Sequence, residues 1–122
     1  MKSVAWRDVK EDRLVGGIRR RIVTGDKVML GRIYFPKGAK VPGHKHLSEQ
    51  ITHVLTGALL FVLDGKDEVV VRAGDTLHIP SNVEHSAEAL EETDEIDAFS
   101  PIRTDWLDGS DAYLREPAPP RR

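Results

Sequence analysis

Along most of this chain, apolar and polar residues alternate with a period of two, in short bursts broken by glycine, proline, asparagine and aspartate. A β-strand throws successive side chains to opposite faces, so each burst predicts a half-buried strand. The bursts cover residues 18–23, 27–35, 51–55, 58–63, 68–72, 76–79, 85–90 and 95–99. Thr24-Gly25-Asp26, Thr56-Gly57 and Asp64-Gly65-Lys66 separate neighbours as hairpin turns, and Pro36-Lys37-Gly38 turns the chain again. Before them, residues 1–13 set Val4, Trp6 and Val9 among polar residues, which predicts a short strand lying against the sheets or against a partner subunit. Beyond Phe99 the alternation stops at Pro101, Trp106-Leu107-Asp108-Gly109 reads as a turn or one helical turn, and residues 116–122 read as a loose tail. Many short strands with almost no helical periodicity predict an all-β, antiparallel double-sheet barrel of the jelly-roll kind.

The length of 122 residues fits a single domain, with the barrel at about 17–100, a C-terminal loop at 101–115 and the tail at 116–122. The formal net charge of −2 argues against nucleic acid as a partner, because the basic run Arg19-Arg20-Arg21 is split between two faces by the same alternation. With no cysteine, disulfides and thiolate metal ligands are excluded. No apolar run is long enough to cross a bilayer and residues 1–8 lack an apolar signal region, so no membrane partner and a cytoplasmic location are expected.

Candidate chemistry concentrates in two stretches. The first runs from Gly38 to Gly57 and holds His44, His46 and Gln50 at even spacing on what reads as one strand, hence on one face. Two imidazoles and an amide oxygen need a further ligand to hold a divalent metal, and His85 supplies it, following Gly74, Pro80 and Asn82 in the second stretch. Glu49 is the rival of Gln50, but odd parity turns it away. His53 has the wrong parity and His78 precedes the turn at Pro80, so both are read as structural. One divalent ion per chain is expected, and imidazole and amide ligands accept nickel, zinc, manganese, iron or copper. A set of neutral ligands leaves the ion's charge uncompensated, which favours an anionic substrate and a developing enolate.

The two stretches resemble the paired signature motifs of the cupin superfamily. The first motif there reads Gly, five residues, His-x-His, three or four residues, Glu, six residues, Gly. Gly38, His44, His46 and Gly57 match, with Gln50 in place of Glu. Gly74, Pro80 and His85 match the second, with Asn82 replacing a glycine, a mild change because asparagine tolerates a left-handed backbone. Together with Asp97-Ala-Phe99-Ser-Pro-Ile-Arg103, the chain from about residue 17 to 107 resembles the small pectin-degradation cupins that linearise unsaturated uronates. That resemblance implies a metal-dependent isomerase acting on the 4,5-unsaturated monouronates released from pectin or alginate, and a homodimer. It implies functional roles for Asp97, Phe99 and Arg103: Asp97 to move a proton, Arg103 to hold the substrate carboxylate, Phe99 to shape the wall beside the sugar. Arg20 shares a face with Ile18 and Ile22, which offers it as a second cation beside the metal and a further substrate contact, against the commoner outward-facing arginine. Other readings of the same residues are that Asp97 and Arg103 form an ion pair closing the barrel, that the centre serves an oxygenase, and that the barrel binds sugar acids without converting them.

Overall fold

The computed structural model describes residues 3–115. In chain order its strands are β1 (Glu11–Arg13), β2 (Arg19–Thr24), β3 (Met29–Phe35), β4 (Lys40–His44), β5 (Glu49–Thr56), β6 (Ala58–Leu63), β7 (Asp67–Arg72), β8 (Thr76–Ile79), β9 (His85–Ala89) and β10 (Thr93–Ser100), followed by the short helix α1 (Thr104–Asp108). They form a six-stranded sheet in the order β1-β2-β3-β10-β5-β8 and a four-stranded sheet in the order β4-β9-β6-β7. Every pairing is antiparallel. The expected all-β double-sheet barrel is thus the observed architecture.

The alternation does what its period requires. In β3, Met29, Gly31, Ile33 and Phe35 are buried while the residues between them face outward or are half-buried. From the other sheet, Leu59, Phe61, Val71 and Ala89 close the core. The inward row of β10 is different, because Thr93, Glu95, Asp97 and Phe99 are all buried and three of the four are polar. Charged and polar side chains are rarely buried without a task or a partner. Strand register sets them in rows: Phe99 lies beside Gln50 of β5, Asp97 beside Thr52, and Glu95 beside Val54.

Turn chemistry fixes where the strands change sheet. Gly38, Gly57 and Gly74 have φ of 85°, 91° and 89°, and Asn82, the departure from glycine, takes φ 62°. Gly57 is required twice over, since a Cβ there would also lie 2.8 Å from the Cα of Thr93. A second glycine makes room for the C-terminal segment: a Cβ on Gly31 would come within 2.7 Å of the Trp106 ring, so β3 leaves the slot into which α1 presses its indole.

One expectation is corrected. Residues Trp6–Asp8 form a 3-10 turn rather than a strand, closed by hydrogen bonds from the amides of Asp8 to the Ala5 carbonyl (2.9 Å) and of Val9 to the Trp6 carbonyl (3.0 Å). The N-terminal strand is the polar stretch β1 instead, tied to β2 by Arg21–Glu11 at 3.1 Å and Arg20–Asp12 at 3.4 Å. The single helical turn expected at Trp106 is α1, ended by Gly109 at φ 79°. The expected tail at 116–122 lies outside the described residues.

Candidate metal centre

His44, His46 and Gln50 do not share a strand. His44 ends β4 in the four-stranded sheet, residues 45–48 carry the chain across the barrel mouth, and Gln50 belongs to β5 in the six-stranded sheet. His44 pairs directly across the ladder with His85 of β9. The three histidines converge all the same, with ring centroids 4.3 Å apart for His44 and His85, 4.9 Å for His46 and His85, and 5.7 Å for His44 and His46.

Each ring is oriented by the same device. Nδ1 donates to a backbone carbonyl two residues away: His44 to Pro42 at 2.9 Å, His46 to Ser48 at 2.8 Å, His85 to Val83 at 2.9 Å. The proton is thereby held on Nδ1 and the Nε2 lone pair faces inward, which is how metal-binding imidazoles are set by their outer partners. One nitrogen from each ring lies within 4.8 Å of the others, a span that a single ion with bonds of about 2.1 Å bridges after small side-chain movements. Burial lowers the pKa of His44 to about 3 and of His46 to about 4, and lowers that of His85, so all three rings are neutral ligands at neutral pH.

Two polar atoms test whether these residues suit a cation. His85 Nε2 is buried with no hydrogen-bond partner. Gln50 directs its amide nitrogen to Thr52 Oγ1 (2.9 Å) and Asp97 Oδ1 (3.4 Å), so its carbonyl oxygen must face His46 Nε2, 3.1 Å away. With the His46 proton on Nδ1, that contact sets one lone pair against another. A positive ion between them would satisfy both atoms, and the donor set of imidazole nitrogens and one amide oxygen fits a divalent transition metal. Glu49 faces outward and meets His78 Nε2 at 3.2 Å, and His53 lies on the same outer face bonded to Thr76 at 2.9 Å.

The wall opposite the histidines is built by β10 and the segment after it. Phe99, 1% exposed, sets its ring edge-on to His46 (5.6 Å) and to Trp106 (4.8 Å). Asp97 accepts from Thr52 Oγ1 at 2.6 Å, and burial pushes its carboxyl above the ordinary value against the pull of hydrogen bonds from Glu95 and Thr52 and the charge of Arg103. Arg103 does not pair with Asp97. Its Nε and Nη2 grip Asp105 at 2.9 and 2.7 Å, Nη2 also donates to the Tyr113 hydroxyl at 2.7 Å, and Nη1 is buried without a partner. Tyr113 lies flat on His44 at 4.3 Å and lines the cavity beside it. His44, His85, Gln50, Asp97, Phe99 and Arg103 line one cavity of about 40 Å³, room for water rather than a sugar ring. A larger ligand has to sit at the mouth or shift Tyr113.

With this geometry in view, the relatives are informative. A family model described as "Cupin domain" matches residues 31–97, more than half of the chain. The chain is a cupin. Among curated proteins this cupin is 36% identical over 99 residues to the pectin degradation protein KdgF of Dickeya dadantii, covering 79% of this chain and 89% of the relative. Among solved structures it is similar to KdgF from Halomonas sp., at 33% identity and TM-score 0.76 over 83% of this chain and 94% of that one. An RmlC-like cupin from Shewanella frigidimarina is similar at 30% identity and TM-score 0.79, over 84% and 93% of the two chains.

The remaining candidate, Arg20, has other work in this cupin. It is fully buried, as its face predicts, but it is not solvated and does not line the cavity. Its guanidinium lies 4.3 Å over the Trp106 ring, with Nη1 2.7 Å from Asp111 and Nη2 3.4 Å from Asp12. It fastens the C-terminal segment to the barrel. Sequence reasoning missed Thr52, Glu95, Trp106 and Tyr113. Strand parity reveals the first two once β5 and β10 are placed side by side, whereas Tyr113 sits in a segment with no periodic signal.

Proposed function

We propose that this cupin is a metal-dependent isomerase that converts 4,5-unsaturated monouronates to the linear 4-deoxy-5-keto uronate, with His44, His46, His85 and Gln50 as the metal ligands. What carries the reading is one juxtaposition: of the three converging imidazoles, those of His44 and His85 line a cavity together with a buried carboxyl, Asp97, and with Arg103, whose Nη1 is buried without a partner. The likeness to KdgF supplies the substrate class.

The chemistry asks for little more. The C1 hydroxyl gives up its proton, C1–O5 breaks to leave a C1 aldehyde and a C5 enolate, and a proton added at C4 gives the 5-keto product. Asp97 can take the first proton and return one to C4, and its raised proton affinity brings it closer to the range in which a carboxyl exchanges protons at neutral pH. Arg103 Nη1 can meet the substrate carboxylate while Asp105 fixes the other side of the guanidinium plane. Phe99 and Trp106 keep that plane in place, their ring centroids 5.3 and 5.0 Å from its central carbon. A bound divalent cation supplies positive charge against the oxyanion that ring opening creates.

Loss of the ultraviolet absorbance of the conjugated double bond in unsaturated galacturonate or mannuronate measures the reaction. Asp97→Asn lowers kcat about a hundredfold or more at unchanged metal content, and Arg103→Lys raises KM although it keeps the charge. Uronate bound but not converted by the metal-loaded wild type would make the protein a sugar-acid receptor and refute the proposal.

A further inference from the structure

The Arg103 guanidinium offers two forks, and only one is closed. Asp105 fills the fork between Nε and Nη2, at 2.9 and 2.7 Å. In the fork between Nη1 and Nη2, the second hydrogen of Nη2 goes to the Tyr113 hydroxyl at 2.7 Å, while Nη1 is buried with no partner. The same hydroxyl accepts from the Trp106 indole Nε1 at 3.4 Å, and among the described residues nothing accepts its own proton. A guanidinium holds a carboxylate best through two parallel hydrogen bonds from one fork. Here a neutral hydroxyl stands where one carboxylate oxygen would, and the place of the other has no occupant among the protein's own groups.

The walls of the cavity differ in how firmly they are held. Gln50, His85, Asp97 and Phe99 stand on strands paired within the two sheets. Tyr113 lies instead in a 3-10 turn, Ala112–Leu114, which among the described residues bonds its backbone only to near neighbours, as from the Leu114 amide to the Asp111 carbonyl at 3.0 Å. The turn stays attached if the ring moves, because Asp111 is pinned by Arg20 at 2.7 Å and Leu114 is buried in the core. We propose that the substrate carboxylate displaces the Tyr113 hydroxyl: the ring swings off His44, one carboxylate oxygen takes Nη1, and the other takes Nη2 together with the Trp106 Nε1 hydrogen bond. The exchange is favourable because the carboxylate brings opposite charge and satisfies the Nη1 that the hydroxyl leaves bare. Tyr113 thereby makes entry selective for acids, since a neutral sugar has nothing to exchange for the hydroxyl.

The inference rests on the uronate reading, but its test measures binding and needs no turnover. Saturated galacturonate, with galactose as the neutral control, is titrated into zinc-loaded, nitrogen-15-labelled protein, the two indole N–H resonances being told apart with Trp6→Phe. Galacturonate should move the Trp106 resonance and galactose should not. Tyr113→Phe keeps the ring and deletes the placeholder, so it should bind galacturonate about threefold to tenfold more tightly. In Arg103→Lys, which has no fork, binding should weaken and adding Tyr113→Phe should change nothing further. Equal or weaker binding by Tyr113→Phe, an unmoved Trp106 resonance, or the same gain from Tyr113→Phe in the Arg103→Lys background would each overturn the proposal. If Arg103→Lys does not fold, the resonance and the single Tyr113→Phe variant still decide. Galacturonate bound in this pattern by a protein that does not convert the unsaturated uronates would sink the isomerase assignment and leave the displacement standing.

Discussion

Arg20→Met separates a residue that fastens the fold from one that binds substrate. The substitution removes a guanidinium from a site where it and the Asp111 carboxylate are both 0% exposed, 2.7 Å apart. Breaking one side of a buried pair costs about 3–5 kcal/mol, chiefly because the other charge is stranded. Here Asp111 keeps Arg115, whose Nε lies 3.0 Å away on a side chain 35% exposed, so the loss belongs at the lower end, about 3 kcal/mol. For a domain of this size, each kcal/mol moves Tm by roughly 3–5 °C, which predicts a fall of about 10–15 °C. The metal-loaded variant, melted by circular dichroism and assayed for uronate well below its transition, should keep KM and kcat within about threefold of wild type. Adding Asp111→Leu removes the stranded charge and should recover most of the lost Tm. A raised KM at unchanged Tm would refute the reasoning and return Arg20 to the substrate.

Gln50→Glu should retain metal but lower kcat with uronate, because a carboxylate at that position cannot donate to Asp97 as the amide does and reduces the charge offered to an anion; elemental analysis beside steady-state kinetics checks it, and unchanged kcat would count against both effects. The metal-free protein should lose stability as pH falls from about 6.5 toward about 4. Burial depresses the His44 and His46 pKa values to about 3 and about 4, so over that window the unfolded chain binds protons that the native rings refuse; the contribution is full above 6.5 and is lost on acidification. Melts of the apoprotein across this range should show a steeper decline than those of a His44→Asn/His46→Asn variant, and equal slopes would be the contrary result.

The parts of the molecule legible in its sequence are those where local pattern and tertiary placement agree. Gly38, Gly57, Gly74 and Asn82 could be read as turns because each requires a left-handed backbone, and the strands between them could be read because one face of each meets a core. The even spacing of His44, His46 and Gln50 led to the right cluster by a wrong route. A pleat would have lined them up on one strand, but the chain changes sheet between residues 44 and 49, and their convergence is a product of that crossing. The N-terminal strand was misplaced because Val4, Trp6 and Val9 look like an alternating face, whereas the backbone of Trp6–Asp8 satisfies itself in a tight turn and β1 relies on ion pairs that no hydropathy pattern reveals. The alternation offers Arg20 to the inner face beside Ile18 against the commoner outward-facing arginine, and nothing local decides between them, because its partner Asp111 lies 91 residues along the chain.

That crossing between residues 44 and 49 also bears on how the barrel breathes. His44 and His85 are anchored in one sheet and Gln50 in the other, with His46 on the strap between them, so a cation held by all four would be a clasp across the open end of the sandwich. Whatever binds the native arrangement and not the unfolded chain stabilises by mass action, and here the stabilisation falls on the gap between the sheets rather than on either ladder. Chelation should therefore loosen the mouth first. Amide hydrogen exchange should speed up at the ends of β4 and β5 and along residues 45–48, while the far edges, β7 and β1, keep the rates they had with metal bound.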